Sequence, residues 1–172
     1  MNTISPFFWF DHEAEEAAKF YVETFKKVFG ASKAKLGSVM RYDENSASAS
    51  GQPDGSAMTV SFRLLDTDFT ALNGGKPENF DTHFTGAVSF VVDCKNQKQI
   101  DGLWDAFAAD GGSPSQCGWI QDKFGITWQV VPSDLTKYIG GRNKAGAARA
   151  MQAMLSMTKF DIATLKEAYE GK

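Results

Sequence analysis

The chain has 172 residues, 42% of them hydrophobic and 23% charged, with a formal net charge of −3. That balance suits one globular domain or two small modules sharing a core, and without a Lys/Arg stripe no nucleic-acid partner is expected. No apolar run reaches the roughly 18 residues a membrane span needs, so no membrane partner is expected either.

The first predicted strand runs from Ile4 to Phe10. Asp11 then offers an N-cap oxygen, and Glu13, Glu15 and Glu16 put negative charge where a helix dipole favours it. Ala14, Ala17, Ala18, Tyr21, Val22, Phe25 and Val28 recur at helical spacing up to Phe29, and Gly30 suits a C-cap. A strand is predicted from Lys35 to Tyr42. The Ser-, Ala-, Gly- and Asn-rich stretch from Asp43 to Gly55 reads as a mobile hairpin arm. Met58 to Leu64 and Thr67 to Leu72 are the next strands. Asn73-Gly74-Gly75 turns the chain, and Lys76 to Thr85 links it onward.

The pattern then repeats. Ala87-Val88-Ser89-Phe90-Val91-Val92-Asp93 matches Ser5-Pro6-Phe7-Phe8-Trp9-Phe10-Asp11 as an apolar run ending in Asp. A helix is predicted from Asn96 to Ala109, with Asn96 and Gln99 at capping-box spacing, and Gly111-Gly112 ends it. Gln116 to Gln121 and Gly125 to Val131 are strands joined by Asp122-Lys123-Phe124, and Pro132 stops the last one. Lys144 to Leu155 is Ala- and Met-rich at helical spacing, and Asp161 to Tyr169 is a second short helix.

The expected fold is therefore α+β: two paired βαβββ modules, at 1–80 and 81–132, with a helical C-terminal extension over 133–172. A unit unable to bury its own apolar face pairs with its copy, and function is expected in the cleft between facing sheets. Strand alternation puts Ser5, Phe7 and Trp9 on one face and Pro6, Phe8 and Phe10 on the other. If Gln129 faces the cleft, so do Thr127 and Val131, joined by Thr70, Leu72, Ser89 and Val91. The expected ligand pocket is Phe7, Trp9, Leu72, Asn73, Cys117, Trp119 and Gln129. Such a lining suits a flat or apolar small molecule oriented by one or two hydrogen bonds. The other reading is that these residues fill a dry core.

Other chemistries find little support. Cys117 is a candidate nucleophile, which needs an activating base; its other reading is a small buried apolar residue. Cys94 and Cys117 are the only cysteines. With no basic-then-apolar N-terminus, they read as reduced in a cytoplasmic protein, and a disulfide between them is the other reading. No Gly-x-Ser-x-Gly elbow occurs, and no Gly-x-Gly-x-x-Gly follows a strand. His12 and His83 are the only histidines and read as surface residues.

Pro6-Phe7-Phe8-Trp9-Phe10, Ala17-x-x-Phe20-Tyr21, Phe69-Thr70-Ala71-Leu72-Asn73-Gly74-Gly75, Gln116-Cys117-Gly118-Trp119 and Trp128-Gln129-Val130-Val131-Pro132 lie in this order. With the tail pattern Met151-x-x-Met154-Leu155-x-Met157-x-Lys159-x-Asp161-Ile162, the chain resembles the PhnB-like branch of the vicinal-oxygen-chelate superfamily. That superfamily includes glyoxalases, bleomycin-resistance proteins and extradiol dioxygenases, and the branch often carries the name 3-demethylubiquinone-9 3-methyltransferase. The resemblance implies four metal positions, which fall on Ser5, Leu72, Ala87 and Gln129. None is His, Cys, Asp or Glu, and a neutral amide with a hydroxyl is a poor set for a divalent ion. The expected protein is thus a cytoplasmic small-molecule binder of unknown ligand, without metal or cofactor. The resemblance also implies a homodimer. The alternative is an enzyme: an isomerase or lyase of glyoxalase type, or the methyltransferase of the branch name. A drug-sequestering resistance protein is a special case of the binder.

Overall fold

Short alternating strands separated by amphipathic helices resolve, in a computed structural model describing residues 4–76 and 87–172, into two units, Met1–His83 and Phe84–Lys172.

In the first unit, β1 (Phe7–Phe10) leads into α1 (Ala14–Phe29) and, after one 3-10 turn, β2 (Ala34–Arg41). A short helix α2 (Glu44–Ser50) precedes β3 (Ala57–Leu64) and β4 (Thr67–Asn73). The sheet order is β1-β4-β3-β2, with β1 parallel to β4 and the other pairs antiparallel. One face of this sheet is covered by α1. Tyr21, Val22 and Phe25 are buried there, as are Phe8, Phe62 and Phe69 from the strands. Phe62 and Phe69 stack at 5.2 Å, and Tyr21 stacks on Phe62 at 6.0 Å. Burying each such side chain contributes about 1.5–3 kcal/mol, so this aromatic layer dominates the unit's core.

Two local expectations are corrected. Asp11 does not cap α1. The N-cap is Glu13, which makes no side-chain cap, and the amide of Ala14 instead donates to Oδ1 of Asn73 at 2.7 Å. Nδ2 of Asn73 donates to the Ala57 carbonyl at 2.9 Å, and the Tyr42 hydroxyl donates to the Asn73 carbonyl at 2.5 Å. A buried helix start requires an acceptor, and the end of β4 supplies one. The arm expected over Asp43 to Gly55 contains α2. Asp43 and Ser46 form a capping box, and Gly51 closes the helix in the left-handed region.

The second unit repeats the plan. β5 (Phe90–Cys94), α3 (Gln97–Ala108), β6 (Ser113–Pro114), β7 (Trp119–Gln121) and β8 (Thr127–Pro132) form a sheet of order β5-β8-β7-β6. Again the first and last strands pair in parallel, Val91 opposite Gln129. Asn96 caps α3 by accepting from the Gln99 amide, and Gln99 reaches back to the amide of Lys95. Ile100, Leu103 and Phe107 are buried on the helix, as are Val92, Ile120, Trp128 and Val130 on the strands. Trp128 stacks on Phe107 at 4.9 Å. The strand expected from Gln116 begins only at Trp119, because Cys117 (φ 55°) and Gly118 (φ 79°) leave the extended region. The strand expected from Ala87 begins at Phe90.

The C-terminal segment belongs to this second unit. It holds α4 (Leu135–Ile139), which was not anticipated, then α5 (Lys144–Leu155) and α6 (Ile162–Glu170). Phe160 and Leu165 are fully buried. The amides of Cys117 and Gly118 donate to the carbonyls of Met157 and Thr158, both at 2.8 Å. The Gln97 side chain donates to the Phe160 carbonyl at 2.9 Å and accepts from the Ile162 amide at 3.0 Å. Lys159 pairs with Asp101 at 2.8 Å. On α5 it is Ala147 and Ala150 that are buried; Met154 is half-buried and Leu155 is 57% exposed. No described helix is long and apolar enough to cross a membrane.

Candidate functional site

The residues expected in a pocket divide between the units. On the first sheet, Phe7, Trp9 and Leu72 lie on the face turned away from α1. Phe7 is exposed, and Trp9 and Leu72 are half-buried directly opposite each other in the β1–β4 pair. The indole of Trp9 is held in place: its Nε1 donates to the Gly75 carbonyl at 2.8 Å. A Cβ on Gly74 would stand 2.3 Å from the ring, so only glycine fits there. Asn73 is on the opposite face, 3% exposed and engaged in capping α1, so its side chain is turned to the helix rather than to a ligand.

On the second sheet, Trp119 and Gln129 face each other across β7 and β8. Nε2 of Gln129 donates to Oγ of Ser89 at 2.8 Å. That partner lies two residues beyond the metal slot assigned to Ala87, a shift that follows from the parallel register of β5 and β8. A groove of about 540 Å³ opens beside this pair. Cys117, Trp119, Gln121 and Thr127 line it, with Ser113, Ser115, Gln116 and Ile120 completing the wall. Gln121 is oriented by its Nε2, which donates to the Gly125 carbonyl at 3.1 Å. The Cys117 thiol lies 3.5 Å from the Met154 carbonyl, to which it donates.

Asp122 sets the turn into β8. Its Oδ1 accepts from the amides of Phe124 (2.9 Å) and Ile126 (3.1 Å), and its Oδ2 accepts from the Trp128 indole at 2.8 Å. In the sequence Asp122 reads only as part of the connection between two strands; the structure makes it the buried anchor of the strand that carries Thr127 and Gln129.

These donors do not suit a divalent ion. Gln129 and Ser89 offer a neutral carbonyl and a hydroxyl, where such ions take several donors including anionic or imidazole groups. No described group of three His, Cys, Asp or Glu could hold one. His12 is exposed, 3.6 Å from Asp11 and 3.7 Å from Glu13; His83 lies outside the described residues.

Neither cysteine is paired in a disulfide. Burial, with the nearby Asp93 carboxylate, pushes the Cys94 thiol up to about 12. It therefore stays protonated and unreactive at neutral pH. A disulfide-exchange reagent at pH 8 should modify Cys117 and spare Cys94 in the folded protein, and reach both after unfolding in denaturant. Because the folded thiol holds its proton above the unfolded value of 9.0, its contribution to stability is complete below about pH 9 and is lost as pH rises towards 12. Equal reaction rates of the two thiols in the native state would contradict the burial of Cys94.

A family model described as 3-demethylubiquinone-9 3-methyltransferase matches residues 2–131. The solved structure of a Bacillus cereus protein, named PhnB and described by the same methyltransferase term, is similar at 28% identity. Its TM-score is 0.63, over 76% of this chain and 99% of that one. The Pseudomonas aeruginosa protein PA1353 shares the fold at 16% identity and a TM-score of 0.54, over 74% of this chain and 95% of its own. No curated protein matches. With the matching model spanning most of the chain and the βαβββ order present in both units, the chain belongs to the 3-demethylubiquinone-9 3-methyltransferase family of PhnB-like proteins.

Proposed function

We propose that this chain is a cytoplasmic small-molecule-binding protein that works without a metal ion and as a homodimer, and that its ligand lies on the open face of the second sheet. The observation that carries the reading is the groove of about 540 Å³ with Trp119 on its wall beside neutral hydrogen-bonding side chains. That volume is in the range of small-molecule sites, about 300–1,000 Å³. Cys117 and Trp119 are the proposed ligand-facing residues there, with Gln129 directly across from Trp119; on the first sheet, Phe7, Trp9 and Leu72 are proposed as a separate ligand-facing group on its own open face. No Asp, Glu, His, Lys or Arg is among the described residues that line the groove, and the Cys117 thiol there donates to the Met154 carbonyl, so the reading is of binding rather than proton transfer. The methyltransferase name supplies no site for a methyl donor and carries no weight in it.

The test is native mass spectrometry of the full chain isolated gently from cell extract. A bound mass should be present and should be lost on Trp119→Ala, with folding verified by circular dichroism. A mass retained equally by the variant, or none in the wild type at any extract concentration, contradicts the reading. Elemental analysis of the same sample should find no stoichiometric divalent ion. About one Zn, Ni, Mn or Fe per chain, lost on Gln129→Ala, would sink the metal-free claim.

A further inference from the structure

We infer that the groove on the second sheet takes an uncharged planar ring bearing both a hydrogen-bond donor and an acceptor, as a ring carboxamide or lactam does; this rests on the binding reading above. Three observations on the same wall lead to it.

The first is charge. No Lys, Arg, His, Asp or Glu is among the described residues that line the groove. A carboxylate or ammonium entering it would shed water and meet no counter-charge, whereas a neutral polar group loses little if its hydrogen bonds are replaced. Asp122 does not supply the missing charge, because its oxygens are directed at the Phe124 and Ile126 amides and the Trp128 indole.

The second is hydrogen bonding. One N–H of the Gln121 amide is committed to the Gly125 carbonyl, which orients the side chain and leaves its second N–H and its Oε1, an acceptor, for a ligand. The indole N–H of Trp119 is a donor only, and the Thr127 hydroxyl serves either way. With the hydroxyls of Ser113 and Ser115 and the amide of Gln116 on the same wall, donors and acceptors stand side by side and favour a ligand that both donates and accepts. A purely accepting anion leaves the Oε1 of Gln121 unmatched, and a purely donating cation leaves the Trp119 N–H unmatched.

The third is shape. Trp119 is half-buried, and the residue directly across from it is Gln129, whose amide is held by Ser89. The Trp119 indole lines the groove and is a planar face on which another ring can stack.

The test uses three probes of one shape: benzamide, benzoate and benzamidine, which are neutral, anionic and cationic. The full-length protein is titrated with each and followed through the indole N–H resonance of Trp119, assigned by its loss in Trp119→Phe. Benzamide should move that resonance and the backbone amides of Cys117, Gln121 and Thr127, and should bind at least tenfold more tightly than either charged probe. Gln116→Glu places an anion on the same wall and should raise benzamidine affinity at least tenfold over the wild type. Benzoate or benzamidine binding the wild type as tightly as benzamide, at the same resonances, overturns the ligand class while leaving the groove a binding site. The class is likewise overturned if Gln116→Glu folds normally and leaves benzamidine unchanged. If no probe moves any groove resonance up to its solubility limit, both the class and the binding reading fall.

Discussion

Replacing Asp122 with Ala is expected to cost the second unit about 3–5 kcal/mol, since three N–H donors lose a charged acceptor and each buried orphan costs about 1–3 kcal/mol, less than additively. The donors are the amides of Phe124 and Ile126 and the Trp128 indole, and Asp122 itself is 3% exposed. Water cannot replace the carboxylate without entering the layer where Trp128 stacks on Phe107. Asp122→Asn should cost less. Its carbonyl oxygen still serves the two backbone amides, but its NH2 then faces the indole N–H, donor against donor. Urea unfolding gives the loss for each variant, and near-ultraviolet circular dichroism reports whether Trp128 keeps its asymmetric packing. A loss under about 1 kcal/mol for Asp122→Ala would show that the turn is held by other contacts.

Much of the fold was legible because its signals are local. Alternation alone separates Phe8 and Phe10, which are buried, from Phe7 and Trp9, which face away from α1. Helical spacing locates α1, α3 and α5 to within a residue or two. What was missed has specific causes. The cap of α1 comes from Asn73, fifty-nine residues away in sequence, and no local rule links them. The helix α2 did carry local signals, an Asp43/Ser46 capping box and Gly51 as a stop, but its Ser-rich composition outweighed them. At five residues, α4 is too short to display a period. Cys117 adopts a positive φ in a turn whose amides bond to Met157 and Thr158, a contact with no trace in Gln116-Cys117-Gly118-Trp119 itself. In the candidate site, the residue type at Gln129 was readable, but its partner Ser89 required the register of a parallel strand pair, which residue spacing does not specify.

Removing residues 143–172 is expected to leave a chain that aggregates or changes its oligomeric state. These residues are built into the second unit rather than appended to it. Phe160 is 1% exposed, and its ring lies against Gly118 so closely that a Cβ there would stand 2.7 Å away. Truncation therefore uncovers the apolar surface that the Phe160 ring covers at Gly118, and exposed apolar surface drives association. It also releases the amides of Cys117 and Gly118 and both ends of the Gln97 side chain from their tail partners. Phe160→Ala isolates the packing component and should cost about 3–5 kcal/mol, the usual range for a buried Phe. Gln97→Ala isolates the clamp and should cost less, since part of the lost bonding passes to water. Because Cys117 and Gln116 also line the groove, loosening the tail should broaden the Trp119 indole resonance before the unit unfolds. Sedimentation of the truncated chain and denaturant unfolding of the two point variants check the chain of cause. A truncated protein that remains monodisperse, with the stability and oligomeric state of the full chain, would show the tail to be dispensable and the buried positions of Phe160 and Leu165 to contribute nothing to the unit beneath them.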